Sequence, residues 1–298
     1  MSLKLDQLQH LAAIVEHGSL RAAARRLNLP QPALSRSVRA LERELGTELF
    51  TRAAQGMTLT AQGRQFHQRA SAVVNELKRA RDELAQGLGD ERGEVVAALS
   101  IMPHVGMLPR ALPAFRQRYP NVRLQLIEGL FPDVEERLRT GHIDFYLGAA
   151  PRETPAPGIK LQRLFGNVRT VVCRQGHPMQ RVRSLKALAE ADWATTAIDY
   201  NAEQDLAQLF AEHGLPPPRV VLHARTALSL MAALTSTDML AMVPVQWEQF
   251  PATQGSLQAV RLRERLPAPD VVMVTRQGLP LTPAAEHLSD LLLREVPR

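Results

Sequence analysis

GSLRAAARRLNLPQPALSRSVRALERELG, residues 18–46, holds two short amphipathic helices and the turn between them. Ser19 is placed to cap a helix over 20–27 that turns Leu20, Ala23, Ala24 and Leu27 inward and leaves Arg21, Arg25 and Arg26 outside. Asn28, Leu29 and Pro30 make the turn. From Gln31 the spacing Leu34, Val38, Leu41, Leu45 gives one buried face, which Gly46 ends in the usual C-terminal position. The opposite face shows Gln31, Ser35, Arg36 and Arg39. Two short helices joined by a tight turn, with polar and basic groups on the outer face of the second, make the helix-turn-helix arrangement that sets one helix into a DNA major groove.

Upstream of this stretch, Leu5, Leu8, Leu11, Ala12 and Val15 mark a first helix that ends near Gly18. Downstream, Leu49 to Thr60 reads as a wing in which Gln55 and Gly56 turn between two short extended runs, and Thr60 caps the next helix. From there the apolar positions Phe66, Ala70, Val73, Leu77, Ala80, Leu84 and Leu88 are separated by 4, 3, 4, 3, 4 and 4 residues. That is a coiled-coil seam, wide enough to pair with a second helix and too thin for a globular core, so a homodimer is expected. Gly87, Gly89 and Gly93, with charges between them, read as a hinge.

After the hinge the pattern alternates strand and helix. Strands are expected at Glu94 to Ile101, Val122 to Glu128, Ile143 to Ala149, Arg169 to Cys173, Trp193 to Ala197, Arg219 to His223, Leu240 to Val243 and Val271 to Val274. Pro151 to Gly158 reads as a crossover into a second lobe and Pro267 to Pro269 as the return. Two lobes joined by two crossovers make a cleft.

Charge and composition agree with this division. The 298 residues carry a net +6, and residues 1–69 hold ten Lys and Arg against five Asp and Glu, so +5 sits in the first domain and +1 in the rest. A local basic excess suits a polyanion partner, although charge alone fits a well-solvated surface equally. Cys173, the one cysteine, excludes internal disulfides and a thiolate cluster, fits a reducing cytosol and reads as a small core residue. No run has the apolar length of a bilayer crossing, and the chain opens on a charged, periodic segment in place of a signal peptide. A cytoplasmic protein without a membrane partner is expected.

The residues resemble those of the LysR-type transcriptional regulators over essentially the whole chain. The motifs that carry the resemblance are GSLRAAA at 18–24, QPALS at 31–35, Leu41-Glu42 with Glu44-Leu45-Gly46, Leu49-Phe50 with Arg52, and Leu59-Thr60 with Gly63, five pieces in register. The later domain resembles the branch that includes the galactose-binding-protein and toluenesulfonate regulators. The family usually has Ser or Thr before the Gln-Pro pair, where this chain has Pro30; Pro30 has no side-chain oxygen to cap the helix, though its fixed φ suits a tight start.

The resemblance implies α/β architecture with an all-α N-terminal part. A winged helix-turn-helix spans 1–60, a linker and dimerisation helix with hinge 61–92, and an effector domain like the periplasmic binding proteins 93–298. Lobe I is expected at about 93–157 and 268–298, lobe II at about 158–267. Partners implied are double-stranded DNA, a small-molecule effector, a second copy through the linker helix with a homotetramer as the common assembly, and RNA polymerase. Gln31, Pro32 and Ser35 match the family's base-reading positions; an amide pairs with an adenine edge and an apolar ring meets a thymine methyl. Arg36 and Arg39 suit phosphate, Arg21 is a further DNA-binding candidate, and Arg52 in the wing suits the minor groove or backbone. The solvated helix face is the competing reading of each.

For the effector, Ser100, Ile101, Met102, Glu128, Thr196, Ala197, Ile198 and Arg225 match family contacts at strand ends. Ser100 and Arg225 suit an aromatic acid or sulfonate, whereas Glu128 repels one and leaves another polar metabolite open; local backbone bonding is the alternative for each. No cofactor, metal or catalytic residue is expected. There is no Gly-x-Ser-x-Gly elbow and no phosphate loop ending in Lys-Ser/Thr, Gly87, Gly89 and Gly93 miss dinucleotide spacing by one residue, and the nine histidines are scattered. At 4% aromatics, a single-strand stacking platform is disfavoured. A solute-binding protein has no use for the basic helix-turn-helix, and an architectural nucleoid protein has none for the cleft.

Overall fold

The computed structural model describes residues 3–53, 56–89, 92–131, 133–196 and 202–296. It divides into two compact units, Met1–Leu88 with Arg139–His142, and Gly89–Leu138 with Ile143–Arg298.

In the first unit, α1 (Leu5–His17), α2 (Leu20–Leu27) and α3 (Gln31–Leu45) pack around Leu11, Ile14, Ala23, Leu34, Val38 and Leu41. Ser19 caps α2 by accepting from the Ala22 N–H at 3.2 Å, and Asn28 ends it in the left-handed region at φ 54°. Pro30 stands at the N-cap of α3 with no side-chain bond, as its chemistry requires. The wing follows as β1 (Phe50–Ala53) antiparallel to β2 (Gly56–Leu59); Gln55, expected in its turn, lies outside the described residues.

Thr60 caps the long helix α4 (Ala61–Gly87), accepting from the Gly63 N–H at 2.9 Å. At Gly63 the helix runs against the wing backbone: a Cβ there would lie 2.0 Å from the Leu49 carbonyl oxygen. Along the seam, Ala70 is buried in the unit's core. Val73 at 54% exposure, Leu77 at 36% and Leu84 at 66% stay open to solvent on one face.

The second unit opens with β3 (Gly93–Leu99), α5 (Ile101–Gly106), α6 (Leu108–Arg118), β4 (Val122–Glu128), α7 (Glu135–Arg139), β5 (Phe145–Ala149) and β6 (Ile159–Phe165). It continues with β7 (Arg169–Arg174), β8 (Asp192–Thr196), α8 (Ala202–Glu212), β9 (Arg219–Ala224), α9 (Ala227–Ser236), β10 (Ala241–Pro244), β11 (Leu257–Val260), β12 (Val271–Arg276) and α10 (Pro283–Arg294). Lobe I is a five-stranded sheet in the order β4-β3-β5-β12-β6, parallel among its first three strands and antiparallel where β12 enters. Lobe II holds the antiparallel sheet β10-β7-β11 and the parallel pair β8-β9, joined through the bridge between Trp193 and Leu240. Cys173 is buried in the apolar cluster around Val171, Trp193 and Phe210.

Two expectations need correction. β6 belongs to lobe I, so the chain leaves that lobe after Phe165 and not within Pro151 to Gly158. The strand was missed because it is an edge strand whose residues are largely exposed, so IKLQRLF shows no buried face. The first strand stops at Leu99, and Ile101 already begins α5. No helix among the described residues is long and apolar enough to cross a membrane.

The close approach at Gly63 reverses an ordinary propensity. Gly→Ala inside a helix normally stabilises by about 0.5–1 kcal/mol; Gly63→Ala should instead destabilise by about 1–3 kcal/mol through overpacking against Leu49. Gly87→Ala meets nothing within 4 Å and serves as the control. Urea midpoints of the two variants check the opposite signs.

Candidate functional site

Helix α3 turns Leu34, Val38 and Leu41 into the core and presents another face to solvent. Gln31, Pro32, Arg36 and Arg39 are exposed and Ser35 is half-buried, which gathers these five groups along one outer face. Arg21 is exposed on α2. Among the described residues none of Arg21, Arg36 and Arg39 makes an ion pair, so each cation is free for an external anion. The side chain of Arg52 lies outside what is described.

Two polar pins fix this helix, and sequence reasoning missed both. Glu42 Oε1 accepts the backbone N–H groups of Leu49 at 2.9 Å and Phe50 at 3.3 Å, tying α3 to the first wing strand. His10 of α1 shares a 2.7 Å hydrogen bond with Ser37 of α3. Burial pushes the His10 imidazole below its ordinary value of 6.5, the nearby Asp6 carboxylate opposing it. Glu42 stood in the Leu41-Glu42 motif, a signal of its presence but not of its partners.

In the effector domain, Ser100, Ile101, Met102 and Thr196 line one cavity between the lobes together with Asn167 and Arg169. Ser100 directly follows β3 and is buried; its backbone N–H donates to the Leu147 carbonyl at 3.0 Å. Gly148 of β5 leaves the space the Ser100 side chain fills, since a Cβ there would lie 2.6 Å from Oγ. The cavity holds about 50 Å³, room for a few waters. It adjoins a chamber of about 350 Å³, within the ordinary range for small-molecule sites, and the two share Arg169, Met242, Ala268 and Pro269 as lining.

Two expected contacts fall elsewhere. Glu128 lines neither cavity; its Oε1 accepts the Ala227 N–H at the start of α9 at 3.2 Å, a carboxylate at a helix N-terminus that ties lobe I to lobe II. Arg225 also lines neither: it follows β9, the outer strand of its two-stranded sheet, and is exposed. Ala197 and Ile198 lie outside the described residues. Sequence reasoning also missed the polar groups at the crossovers. Asn167 and Gln246 exchange side-chain amide bonds at 3.0 and 3.4 Å, and Arg169 pairs with Asp205 at 2.9 Å. Arg169 opens an apolar strand 36 residues before its partner, so no local signal marked it.

A winged helix-turn-helix with a basic outer face, carried by the same chain as a two-lobed α/β domain with cavities at its crossovers, defines the class: a DNA-binding protein under small-molecule control. Residues 5–64 match the family described as "Bacterial regulatory helix-turn-helix protein, lysR family", and residues 88–297 match "LysR substrate binding domain". The chain belongs to the LysR family of bacterial transcriptional regulators. It is a regulator with a DNA-binding helix-turn-helix and an effector-binding domain, not an enzyme.

Among relatives, it is 31% identical to the SDS degradation transcriptional activation protein of a Pseudomonas species, across 98% of this chain and 96% of that protein. It is 27% identical to the transcriptional regulator GbpR of Azospirillum brasilense, across 95% and 84%. Among solved structures, full-length OxyR from Pseudomonas aeruginosa matches with a TM-score of 0.72 at 20% identity, covering 98% of this chain and 95% of that one. Full-length CbnR in complex with its target DNA matches at 0.69 and 22%, covering 98% and 100%. At these identities the structures show the shared fold.

The depressed His10 pKa gives the first unit a pH dependence. The unfolded chain binds a proton near pH 6.5 that the folded chain refuses until lower pH, so this contribution is full above that value and is lost as pH falls toward the folded-state pKa. Wild type should lose more urea stability between about pH 8 and about pH 5 than His10→Gln, which has no imidazole to protonate.

Proposed function

We propose that the chain acts as a dimer, with a tetramer as the larger assembly, that binds a two-fold related duplex site through α3 and responds to a small molecule held between the lobes of its effector domain. The observation that carries this reading is the two-faced α3, with Leu34, Val38 and Leu41 in the core and four polar or basic groups, Gln31, Ser35, Arg36 and Arg39, outside beside Pro32. Gln31, Pro32 and Ser35, in the first turns, have the chemistry to read base edges in the major groove. Arg21, Arg36 and Arg39 hold phosphates, which supplies affinity and register without sequence information; Arg52 serves the same end from the wing.

The open face of α4 supports dimerisation. Val73, Leu77, Ala80 and Leu84 keep a spacing of 4, 3 and 4, and a row of exposed apolar side chains on a long helix is stable in water when a second helix covers it. For the effector, Ser100 and Thr196 from the two lobes supply polar contacts, with Met102, Met242, Ala268 and Pro269 around the apolar part. An aromatic acid, a sulfonate or another polar metabolite of that size fits this lining once the adjoining chamber is included. The name of the SDS-degradation relative adds organic sulfates to the acids to be tried. Action in the cytoplasm, beside RNA polymerase, completes the proposal.

The DNA assignment separates into two behaviours. On a duplex obtained by in-vitro selection, Gln31→Ala and Ser35→Ala should each reduce discrimination against mismatched sites by about 1–3 kcal/mol. Arg36→Ala and Arg39→Ala should weaken all duplexes alike and lower the slope of log K against log salt by about one each. Fluorescence anisotropy over a salt series measures both, and the reverse pattern would sink the division of roles.

The assembly is tested on α4. Leu77→Lys combined with Leu84→Lys puts like charges across the seam, and the full chain should fall to half its assembly size or less in sedimentation. An unchanged size removes α4 from the interface.

A further inference from the structure

Arg169 is the one charged side chain on the slot between the lobes, among the described residues, and it also walls the larger chamber. It is nearly buried, with 11% of its side chain exposed. Nη2 donates to Asp205 Oδ2 at 2.9 Å, and Nη1 makes a longer bond of 3.4 Å to the Pro267 carbonyl. The other oxygen of Asp205, Oδ1, accepts from Arg152 Nη2. One carboxylate therefore serves two guanidinium groups, and the three come from different places: Arg152 after β5 in lobe I, Asp205 in α8 of lobe II, and Arg169 at the first residue of β7, directly after the crossover.

The other carboxylates on the chamber do not make up the difference. Asp270 is held by Arg163 through bonds of 2.6 and 3.1 Å, and Glu212 is exposed and accepts from Gln208 at 2.9 Å. A guanidinium carries five N–H donors in a planar fork shaped for a carboxylate or sulfonate, and described residues use two of those on Arg169. A buried cation that shares its counterion is favourable ground for a second anion.

We infer that the effector is an organic monoanion with a compact apolar body, and that its acid group binds Arg169 in place of Asp205. This rests on the interlobe reading proposed above. Asp205 is an internal occupant of the anion position, and displacing it leaves it with Arg152 alone. Because the Asp205 carboxylate is a tie from lobe II to lobe I, anion binding and lobe arrangement are linked, which is what a ligand needs in order to shift a conformational equilibrium. A neutral ligand of the same shape leaves the pair intact.

The test uses the full chain, with benzoate, benzenesulfonate and hexyl sulfate as probes and benzamide as the neutral match, by titration calorimetry. Asp205→Asn keeps an oxygen acceptor and removes the competing charge; it should bind the best of the three anions about tenfold tighter or more than wild type, a gain that misfolding cannot produce. Arg169→Gln should lose that anion by about tenfold or more and leave benzamide unchanged, with Arg169→Lys between them. The inference falls if Asp205→Asn binds the anion no tighter than wild type, if none of the three binds Asp205→Asn, or if the affinity survives Arg169→Gln. Ser100→Ala and Thr196→Ala separate it from the reading beneath. If those two variants weaken the anion while the Arg169 and Asp205 variants do not, the inference falls and the interlobe site stands. If the Arg169 and Asp205 variants respond and the other two do not, the anion sits in the chamber beside Arg169, and the slot assignment is what falls.

Discussion

The two crossover segments of the effector domain are hydrogen-bonded to each other. Val168 bridges Pro267 in antiparallel register, and the Arg169 N–H donates to the Leu266 carbonyl at 2.9 Å. The amides of Asn167 and Gln246 lock beside them. Lobes joined by a paired double strand can turn about that line but cannot drift apart, so the residues around it keep their relative places. Ser100 just after β3, Thr196 at the end of β8 and Arg169 at the start of β7 meet at one cavity for this reason. Helix α5 adds apolar contact, because Ile101 and Val105 pack into the lobe II cluster of Val172, Ala194 and Trp247. At roughly 25 cal/mol per Å² of apolar surface buried, that contact adds to the hold between the lobes.

The DNA-binding unit solves a different problem. Its core is small and holds two aromatic residues, Phe50 and Phe66, so apolar packing alone leaves latitude in how α3 is aimed. Polar pins remove it. The Glu42 carboxylate takes two wing N–H groups, His10 meets Ser37, and the missing side chain of Gly63 lets α4 press on the Leu49 backbone. A carboxylate receiving two N–H groups and a neutral imidazole are geometrically stricter than contacts between alkyl groups. The helix that carries Gln31, Ser35 and Arg39 is thereby held from α1, from the wing and through the wing from α4.

Much of this was legible in the chain. The 3.6-residue spacing Leu34, Val38, Leu41, the cap at Ser19 and the apolar row on α4 are local periodic signals, and the structure has each of them. Strand β6 was not legible, because an edge strand with little buried surface writes no pattern into IKLQRLF. Glu128 and Arg225 were drawn to the cleft by the rule that ligands meet strand ends, but Glu128 is spent on the N-terminus of α9 and Arg225 follows an outer strand.

The sequence by itself determined the order of domains, helix α3 with its inner and outer faces, and the family, because those rest on short-range spacing and on motifs a few residues long. Tertiary structure alone decided which side chains meet across the effector domain: Asp205 with Arg169 and Arg152, Asn167 with Gln246, and Ser100 beside Gly148. The physical reason is that an ion pair depends on distance in space, and Arg169 and Asp205 come within 2.9 Å only after the chain has crossed between the lobes and folded β7, β8 and α8.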